Sequence, residues 1–140
     1  MCGIAGELRF DGSDPDPRRV RDMMARLEPR GPDGSGVEAR PGIVLGHRRL
    51  KIIDLSERAH QPMVDSHLGL TIVFNGAIYN CDTLRAQLES KGYQFFSHGD
   101  TEVILKAYHA WGKQCVERFN GMFAFAILHR DRGDLFLARD

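Results

Sequence analysis

The first six residues, Met1–Gly6, read MCGIAG and place a cysteine directly after the initiator methionine. Methionine aminopeptidase removes Met1 when the next side chain is small, so we expect the mature chain to begin at Cys2. An α-amino group and a thiol both titrate near neutral pH, and a residue that carries both can act as nucleophile and proton shuttle. The alternative is that Cys2 is an unremarkable residue at a frayed terminus.

Four further motifs favour the nucleophile. RGPDGSG at Arg30–Gly36 is punctuated by glycine and proline, which predicts an ordered turn rather than a helix or strand. Apolar residues at Leu70–Phe74 predict a buried strand that ends on NGAIYN at Asn75–Asn80. GDTEVI at Gly99–Ile104 leads into a helical pattern, and GHRRL occupies Gly46–Leu50.

Together with the first residues, these motifs resemble, in the family's order, the N-terminal glutaminase domain of the class II glutamine amidotransferases, which are N-terminal nucleophile hydrolases. Within that group the chain looks most like the asparagine synthetase type, from Cys2 to Asp140. The resemblance implies an α+β fold, a four-layer αββα sandwich of two antiparallel sheets between helical layers. It also implies that residues 1–140 are an incomplete glutaminase domain, because the family's domain continues further and then joins a synthetase domain.

The reaction implied is hydrolysis of glutamine to glutamate and ammonia, with Cys2 as nucleophile and Asn75 and Gly76 as the oxyanion site. The Asn75 amide and the open backbone of Gly76 are suitable donors. Preorganised donors are worth about 2.7 to 4 kcal/mol each in comparable oxyanion sites. The alternative is that Asn75-Gly76 forms a two-residue hairpin turn, a common meaning of this dipeptide.

Free glutamine is a zwitterion, so its binding needs a cation for the carboxylate and an anion for the ammonium group. The resemblance assigns these to Arg49, whose planar fork suits a carboxylate, and to Asp100. The alternatives are a surface-strand arginine and a helix N-cap. The full substrate-binding set that the resemblance implies is Arg49, Leu50, Lys51, Ile52, Ile53, Asn75, Gly76, Ala77 and Asp100.

Three details of this predicted pocket stay open. Ile52 and Ile53 are equally explained as core residues. Many asparagine synthetases carry glutamate where this chain has Ala77, so a carboxylate contact to the ammonium group is missing and the branch of the family is undecided. Arg30–Gly36 is predicted to shape the pocket wall, with a purely structural turn as the alternative.

Composition fits one globular domain: 140 residues, 42% hydrophobic, 27% charged and a formal net charge of zero. Balanced charge gives no support to nucleic-acid binding, which needs a basic patch. No stretch approaches the roughly 18 apolar residues of a membrane helix, and no signal peptide is recognisable, so we expect a cytoplasmic protein without a membrane partner. The three cysteines and six histidines lack the spacing of a disulfide framework or a metal site.

The resemblance also implies the partners of the reaction. The glutaminase step needs no cofactor, whereas ATP and Mg²⁺ are expected in the synthetase domain; no GxxxxGK[ST] phosphate loop occurs in this chain. Glutamine, the C-terminal synthetase domain of the same polypeptide and, as a further possibility, a second copy in a homodimer are the expected partners. The whole would make asparagine from aspartate. The alternatives are amidation of another carboxylate and a non-catalytic glutamine-binding module, with glucosamine-phosphate synthase and phosphoribosyl-pyrophosphate amidotransferase more distant.

Hydrophobic periodicity predicts the elements along the chain. Strands are predicted at Ile4–Phe10, Ile43–Leu50, Leu68–Phe74, Met122–Leu128 and Leu135–Ala138. Helices are predicted at Pro17–Leu27, after Asn80 as far as Gly92, and at Thr101–Trp111. The first helix is expected to begin on an Asp16 cap, with an apolar face formed by Val20, Met23, Met24 and Leu27.

Overall fold

The computed structural model describes all 140 residues and contains two antiparallel sheets. Strands β1 (Gly3–Leu8), β2 (Gly34–Arg40) and β3 (Ile43–Arg49) form the first sheet, in the order β1-β3-β2. The second sheet consists of β4 (Met63–Asp65), β5 (Leu70–Ile78), β6 (Gly121–His129) and β7 (Leu135–Arg139), in that order.

Three α-helices cover the outer faces of the sheets: α1 (Pro17–Arg26), α2 (Cys81–Ser90) and α3 (Asp100–Trp111). Helix α1 packs on the first sheet, α3 packs on β5 and α2 packs beside α3. Short 3₁₀ turns occupy Glu28–Arg30, Glu57–Ala59 and Gly112–Arg118. The predicted four-layer αββα sandwich is therefore confirmed. No helix is both long enough and apolar enough to cross a bilayer.

Side-chain alternation along the strands fills the interfaces between these layers. On β3, Val44 points towards Val20 and Met24 of α1, whereas Ile43 and Leu45 point towards the second sheet. A larger cluster fills the space between the second sheet and the helices α2 and α3; its members include Ile72, Phe74, Leu84, Leu88, Ile104 and Phe125. One polypeptide thus builds three apolar interfaces, which hold the four layers together.

Helix α1 begins as predicted but buries less of its surface. Asp16 Oδ1 accepts the N–H of Arg18 at 2.9 Å, and Pro17 takes the first helical position, where no N–H is needed. Met23 was expected on the buried face but is 42% exposed. It lies about 100° around the helix from buried Met24, at the edge of the apolar stripe.

Strand β5 does not end at Phe74, as predicted, but continues through Asn75 and Gly76 to Ile78. It pairs with β6 along its whole length. Gly76 permits this pairing because a Cβ there would lie 2.1 Å from the carbonyl oxygen of Met122. The predicted strand end and the alternative hairpin turn are therefore both wrong, and the Asn-Gly pair lies inside a continuous strand.

Two strands were not predicted. The run Arg30–Gly36 was expected to be a turn throughout, but β2 already begins at Gly34. Its glycines and half-exposed side chains give no continuous apolar pattern, so β2 is not recognisable as a strand from the sequence. Strand β4 has only three residues, too few for a periodic signal. Apart from the C-terminal end of β5, the remaining strands and helices match the predictions to within a residue or two at each end.

Candidate active site

A cavity of about 180 Å³ lies where the ends of β3 and β5 meet the start of α3. Alternation explains its lining. Arg49 lies on the same face of β3 as Ile43 and Leu45, and Asn75 lies on the same face of β5 as Val73. Because both faces look into the space between the sheets, the polar end of the inter-sheet core forms the cavity.

Most of the residues predicted for the site line this cavity: Cys2, Arg49, Leu50, Ile52, Ile53, Asn75, Gly76, Ala77 and Asp100. Lys51 does not. Its Nζ pairs with Glu57 at 2.7 Å, and its N–H donates to Asp33 at 2.9 Å. Ile52 and Ile53 are 69% and 57% exposed, so the alternative that they are core residues is wrong.

The run Arg30–Gly36 does not line the cavity and instead supports it from behind. Arg30 Nε donates to the carbonyl oxygen of Cys2 at 3.3 Å. The carbonyl oxygen of Gly31 accepts Arg48 Nε at 2.9 Å. The prediction that this run shapes the pocket wall is therefore wrong. The run holds the backbone around the cavity instead.

Cys2 lies immediately before β1, whose first residue, Gly3, pairs with Arg48 of β3. This register places the cysteine beside Leu50, whose N–H donates to the Cys2 sulfur at 3.3 Å. Met1 lines the mouth of the cavity and is 59% exposed. Removal of Met1 would therefore leave a free α-amine on the residue that carries the thiol.

The edge of β5 that faces the cavity carries an unpaired N–H. Alternate residues of a strand point their N–H groups to the same edge. On this edge Gln61 Oε1 accepts the N–H of Phe74 at 2.6 Å, and Asp100 Oδ2 accepts the N–H of Ile78 at 3.0 Å. Gly76 lies between these two residues, and its N–H remains available to a bound group.

The side chain of Asn75 is also unsatisfied. Its Oδ1 is buried without a hydrogen-bond partner, an arrangement that costs free energy in a folded protein. The oxygen and nitrogen of such an amide are exchanged by a simple rotation, so the end of this side chain can offer either an acceptor or an N–H. Asn75 and Gly76 thus present two adjacent amide groups to one space.

A cationic and an anionic side chain are buried in the same cavity. Arg49 is 5% exposed; its Nη2 donates to the carbonyl oxygen of Asp54, whereas its Nη1 is buried without a partner. Asp100 is also 5% exposed, and burial raises the pKa of its carboxyl group. An unpaired guanidinium N–H and a buried carboxylate suit the two ends of a zwitterion.

Asp100 does not cap α3, in contrast to the alternative considered from the sequence. The N-cap is Gly99, no side chain caps this helix, and Asp100 is the first helical residue. Its carboxylate turns to the N–H of Ile78 on β5 instead. The residue therefore joins the start of α3 to the edge of the second sheet.

Asp54 and Gln61 are among the lining residues that sequence reasoning missed. Burial tends to raise the pKa of Asp54, but hydrogen bonds from Ser56 and from the N–H of His98 outweigh it and lower the pKa to about 2. Gln61 is 5% exposed. Gln61 bonds Phe74 and Thr101, and Asp54 bonds His98, all distant in sequence, so no local pattern predicts either residue as part of the cavity. The contact of Asp54 with nearby Ser56 is a local turn bond that does not indicate a cavity.

Solved structures share this fold. A glutamine phosphoribosylpyrophosphate (PRPP) amidotransferase from B. subtilis, complexed with ADP and GMP, matches 100% of this chain and 37% of its own chain, with a TM-score of 0.80 and 19% identity. The structure of the allosteric regulatory enzyme of purine biosynthesis matches the same shares, with a TM-score of 0.77 and 18% identity. This chain therefore has the same fold as these two enzymes, with two facing antiparallel sheets between helical layers.

The family model described as glutamine amidotransferase domain matches residues 1–140, and the chain belongs to this family. The resemblance inferred from the motifs is thereby confirmed. Asparagine synthetase [glutamine-hydrolyzing] 3 of Bacillus subtilis (strain 168) is 41% identical over 143 residues. Putative asparagine synthetase [glutamine-hydrolyzing] 2 of Methanocaldococcus jannaschii is 39% identical over 158 residues. Each alignment covers 100% of this chain but only 23% and 30% of these relatives, so the chain spans about a quarter of their length.

Proposed function

We propose that this chain hydrolyses the side-chain amide of glutamine to glutamate and ammonia, with Cys2 as the nucleophile. The observation that carries this proposal is a single cavity that unites the Cys2 thiol, the unpaired N–H of Gly76 and two buried side chains of opposite charge. Glutamine matches this set because it combines a carboxamide with a carboxylate and an ammonium group. Membership of the amidotransferase family supports the same reaction.

In the first half of the reaction, the α-amine of Cys2 accepts the thiol proton, either directly or through a water molecule. The sulfur attacks the amide carbon, a C–S bond forms, and the carbonyl electron pair moves onto oxygen. The N–H of Gly76 and the amide of Asn75 stabilise this oxyanion. When the adduct collapses, the Cys2 ammonium group gives its proton to the amide nitrogen, the C–N bond breaks, and the nitrogen leaves as ammonia.

In the second half, water hydrolyses the γ-glutamyl thioester that remains on Cys2. The α-amine, now neutral, takes a proton from the attacking water, and the same oxyanion site stabilises the second adduct. Breakage of the C–S bond releases glutamate and restores the thiol. In this proposal no step needs a metal ion or an organic cofactor.

The two charged residues bind the ends of the substrate that do not react. Arg49 donates from Nη1 to the α-carboxylate, and Asp100 accepts from the α-ammonium group. Lys51 is assigned no side-chain contact, because its Nζ is engaged by Glu57. The exposed run Ile52–Ile53 lies over the entrance, and Ala77 contributes lining but no charge.

For the parent polypeptide, we propose that the ammonia passes to a synthetase domain that makes asparagine from aspartate with ATP and Mg²⁺. The support is that the relatives described above are an asparagine synthetase and a putative asparagine synthetase, and that both are several times longer than this chain. A cytoplasmic location and association into a homodimer belong to the same proposal.

Glutamate release from glutamine tests the glutaminase proposal. Three forms are compared: the chain with Met1 removed, the chain with Met1 retained, and Cys2→Ala. We expect release of glutamate only from the processed chain, with one ammonia for each glutamate. Equal rates for the processed chain and Cys2→Ala would overturn the assignment of the nucleophile.

A further inference from the structure

The cavity edge of β5 loses its strand partner just before the proposed oxyanion residues. Strand β4 pairs with β5 only as far as Met63 opposite Ile72. Two more residues in the same register would place Gln61 opposite Phe74. The backbone does not follow this course. The carbonyl oxygen of Gln61 instead packs against Gly36, where a Cβ would lie 2.3 Å from it.

The side chain of Gln61 takes the place of the missing strand. Its Oε1 accepts the N–H of Phe74 at 2.6 Å, and its Nε2 donates to Thr101 Oγ1 at 3.2 Å. A primary amide offers the same acceptor and donor as a peptide group, so it can close the edge of a sheet. Gln61 and Thr101 are each 5% exposed, so these bonds form away from water.

His47 bonds the carbonyl group of Phe74, whose N–H is bonded by Gln61. It is fully buried on β3, and its Nε2 donates to the carbonyl oxygen of Phe74 at 3.0 Å. Burial lowers the pKa of His47 to about 4, so the ring is neutral near pH 7. Side chains from two other segments therefore hold both peptide groups of Phe74, directly before Asn75 and Gly76.

The unpaired N–H of Gly76 is consequently bracketed on its own strand edge. Gln61 holds Phe74 on one side, and Asp100 holds Ile78 on the other. Thr101 follows Asp100 directly at the start of α3. The bond from Gln61 to Thr101 therefore connects the two side chains, Gln61 and Asp100, that hold β5 on either side of Gly76.

We propose that Gln61 is a positioning residue for the oxyanion site: it fixes the edge of β5 so that the N–H of Gly76 points at the reacting carbonyl. The inference rests on the proposed glutaminase function. A donor that meets charge formed only in the transition state raises the rate of the chemical step rather than the affinity for substrate. Loss of this support therefore lowers kcat more than it weakens glutamine binding.

Gln61→Met tests this inference, because methionine has a similar size but forms a hydrogen bond with neither Phe74 nor Thr101. We expect kcat for glutamate release to fall by about 10- to 100-fold, less than the 10² to 10³ that removal of an oxyanion donor costs. The dissociation constant for glutamine, measured in a Cys2→Ala background, changes by less than about threefold. The matched control is Gln87→Met on the exposed face of α2, which leaves both quantities unchanged.

Two further variants keep the test decisive. Gln61→Glu retains an acceptor for Phe74 and keeps more of kcat than Gln61→Met. If thermal unfolding shows that Gln61→Met does not fold, Thr101→Val takes its place as the test of the inference. A lower kcat at unchanged glutamine affinity supports the inference, and an unchanged kcat overturns it.

Other outcomes separate this inference from the proposed function. A folded Gln61→Met with kcat within about twofold of the parent overturns the inference, as does a parallel loss of kcat and affinity. A parent chain that releases no glutamate through Cys2 overturns the proposed function instead.

Discussion

At the scale of single residues, Asp100 connects affinity for substrate to pH. Burial raises the pKa of this carboxyl group, and only its ionised form pairs with an ammonium ion. We expect KM for glutamine to rise as the pH falls through a value above the ordinary aspartate pKa. In Asp100→Asn, KM is high at every pH and this limb is absent. A KM profile for both proteins checks this, and the same acid limb in the variant would contradict it.

The same carboxyl group lowers stability near neutral pH. Because its pKa is raised in the folded state, the folded chain binds this proton more tightly, and stability is lost as the pH rises through the folded pKa. Asp100→Asn should therefore unfold at a higher temperature than the parent at pH 7, with a smaller difference in acid. Thermal unfolding at both pH values measures this, and a variant less stable at pH 7 would refute it.

Arg49→Lys separates charge from geometry at the other end of the substrate. Lysine keeps the positive charge but loses the fork that contacts the Asp54 carbonyl and the carboxylate together. We expect KM to rise by about 10- to 100-fold, which corresponds to about 1.5 to 3 kcal/mol for a charged hydrogen bond, with a smaller change in kcat. Steady-state kinetics give both values, with exposed Arg26→Lys as the control. An unchanged KM would exclude the carboxylate role.

The sequence identified the residues of the site that lie in motifs and missed those that act across the fold. Cys2, Arg49 and Asp100 each stand in a recognisable run. Gln61 and Asp54 do not, because their function depends on Phe74 and on the segment before Asp100, which only the folded chain brings near.

At the scale of elements, the pairing of β5 with β6 depends on Gly76. A Cβ there would lie 2.1 Å from a β6 carbonyl oxygen, so Gly76→Ala must push the strands apart. We expect a loss of about 1 to 3 kcal/mol in the free energy of unfolding and loss of glutaminase activity. Urea unfolding measures the first effect. The control is Gly34→Ala on β2, where the nearest atom lies at 3.7 Å; equal costs for the two variants would contradict the steric argument.

Elements with a continuous apolar pattern were predicted well, and those defined by tertiary contacts were not. Strand β6 and helix α3 carry enough buried side chains to be recognised from the sequence. Strand β2 is half exposed, and β4 has three residues. The Asn75-Gly76 pair suggested a strand end, whereas Gly76 is required by the close approach of β6.

At the scale of the whole molecule, a buried ionic cluster connects α3 to β4. Lys106 is 3% exposed, lies 3.6 Å from the carboxylate of Asp65 and also contacts Glu102. Lys106→Met leaves two buried carboxylates without their cation, which should cost about 3 to 5 kcal/mol. Denaturant unfolding measures the cost, with exposed Lys113→Met as the control. Equal stabilities of the two variants would show that the cluster does not hold these elements together.

The arrangement of layers explains why one cavity collects residues from distant parts of the chain. The first sheet supplies Arg49 and places Cys2, the second supplies Asn75 and Gly76, and α3 supplies Asp100. The resemblance predicted this arrangement from motifs. Composition and periodicity predicted only an α+β domain, because they do not specify which sheet faces which.

The most direct test of the central claim is the intact mass of the processed chain, quenched with acid during turnover of glutamine. We predict a population heavier by one γ-glutamyl group, located on Cys2 by peptide mapping and absent from both Cys2→Ala and the chain that retains Met1. Glutamate release without any such adduct, or an adduct on Cys81 or Cys115 instead, would contradict the account.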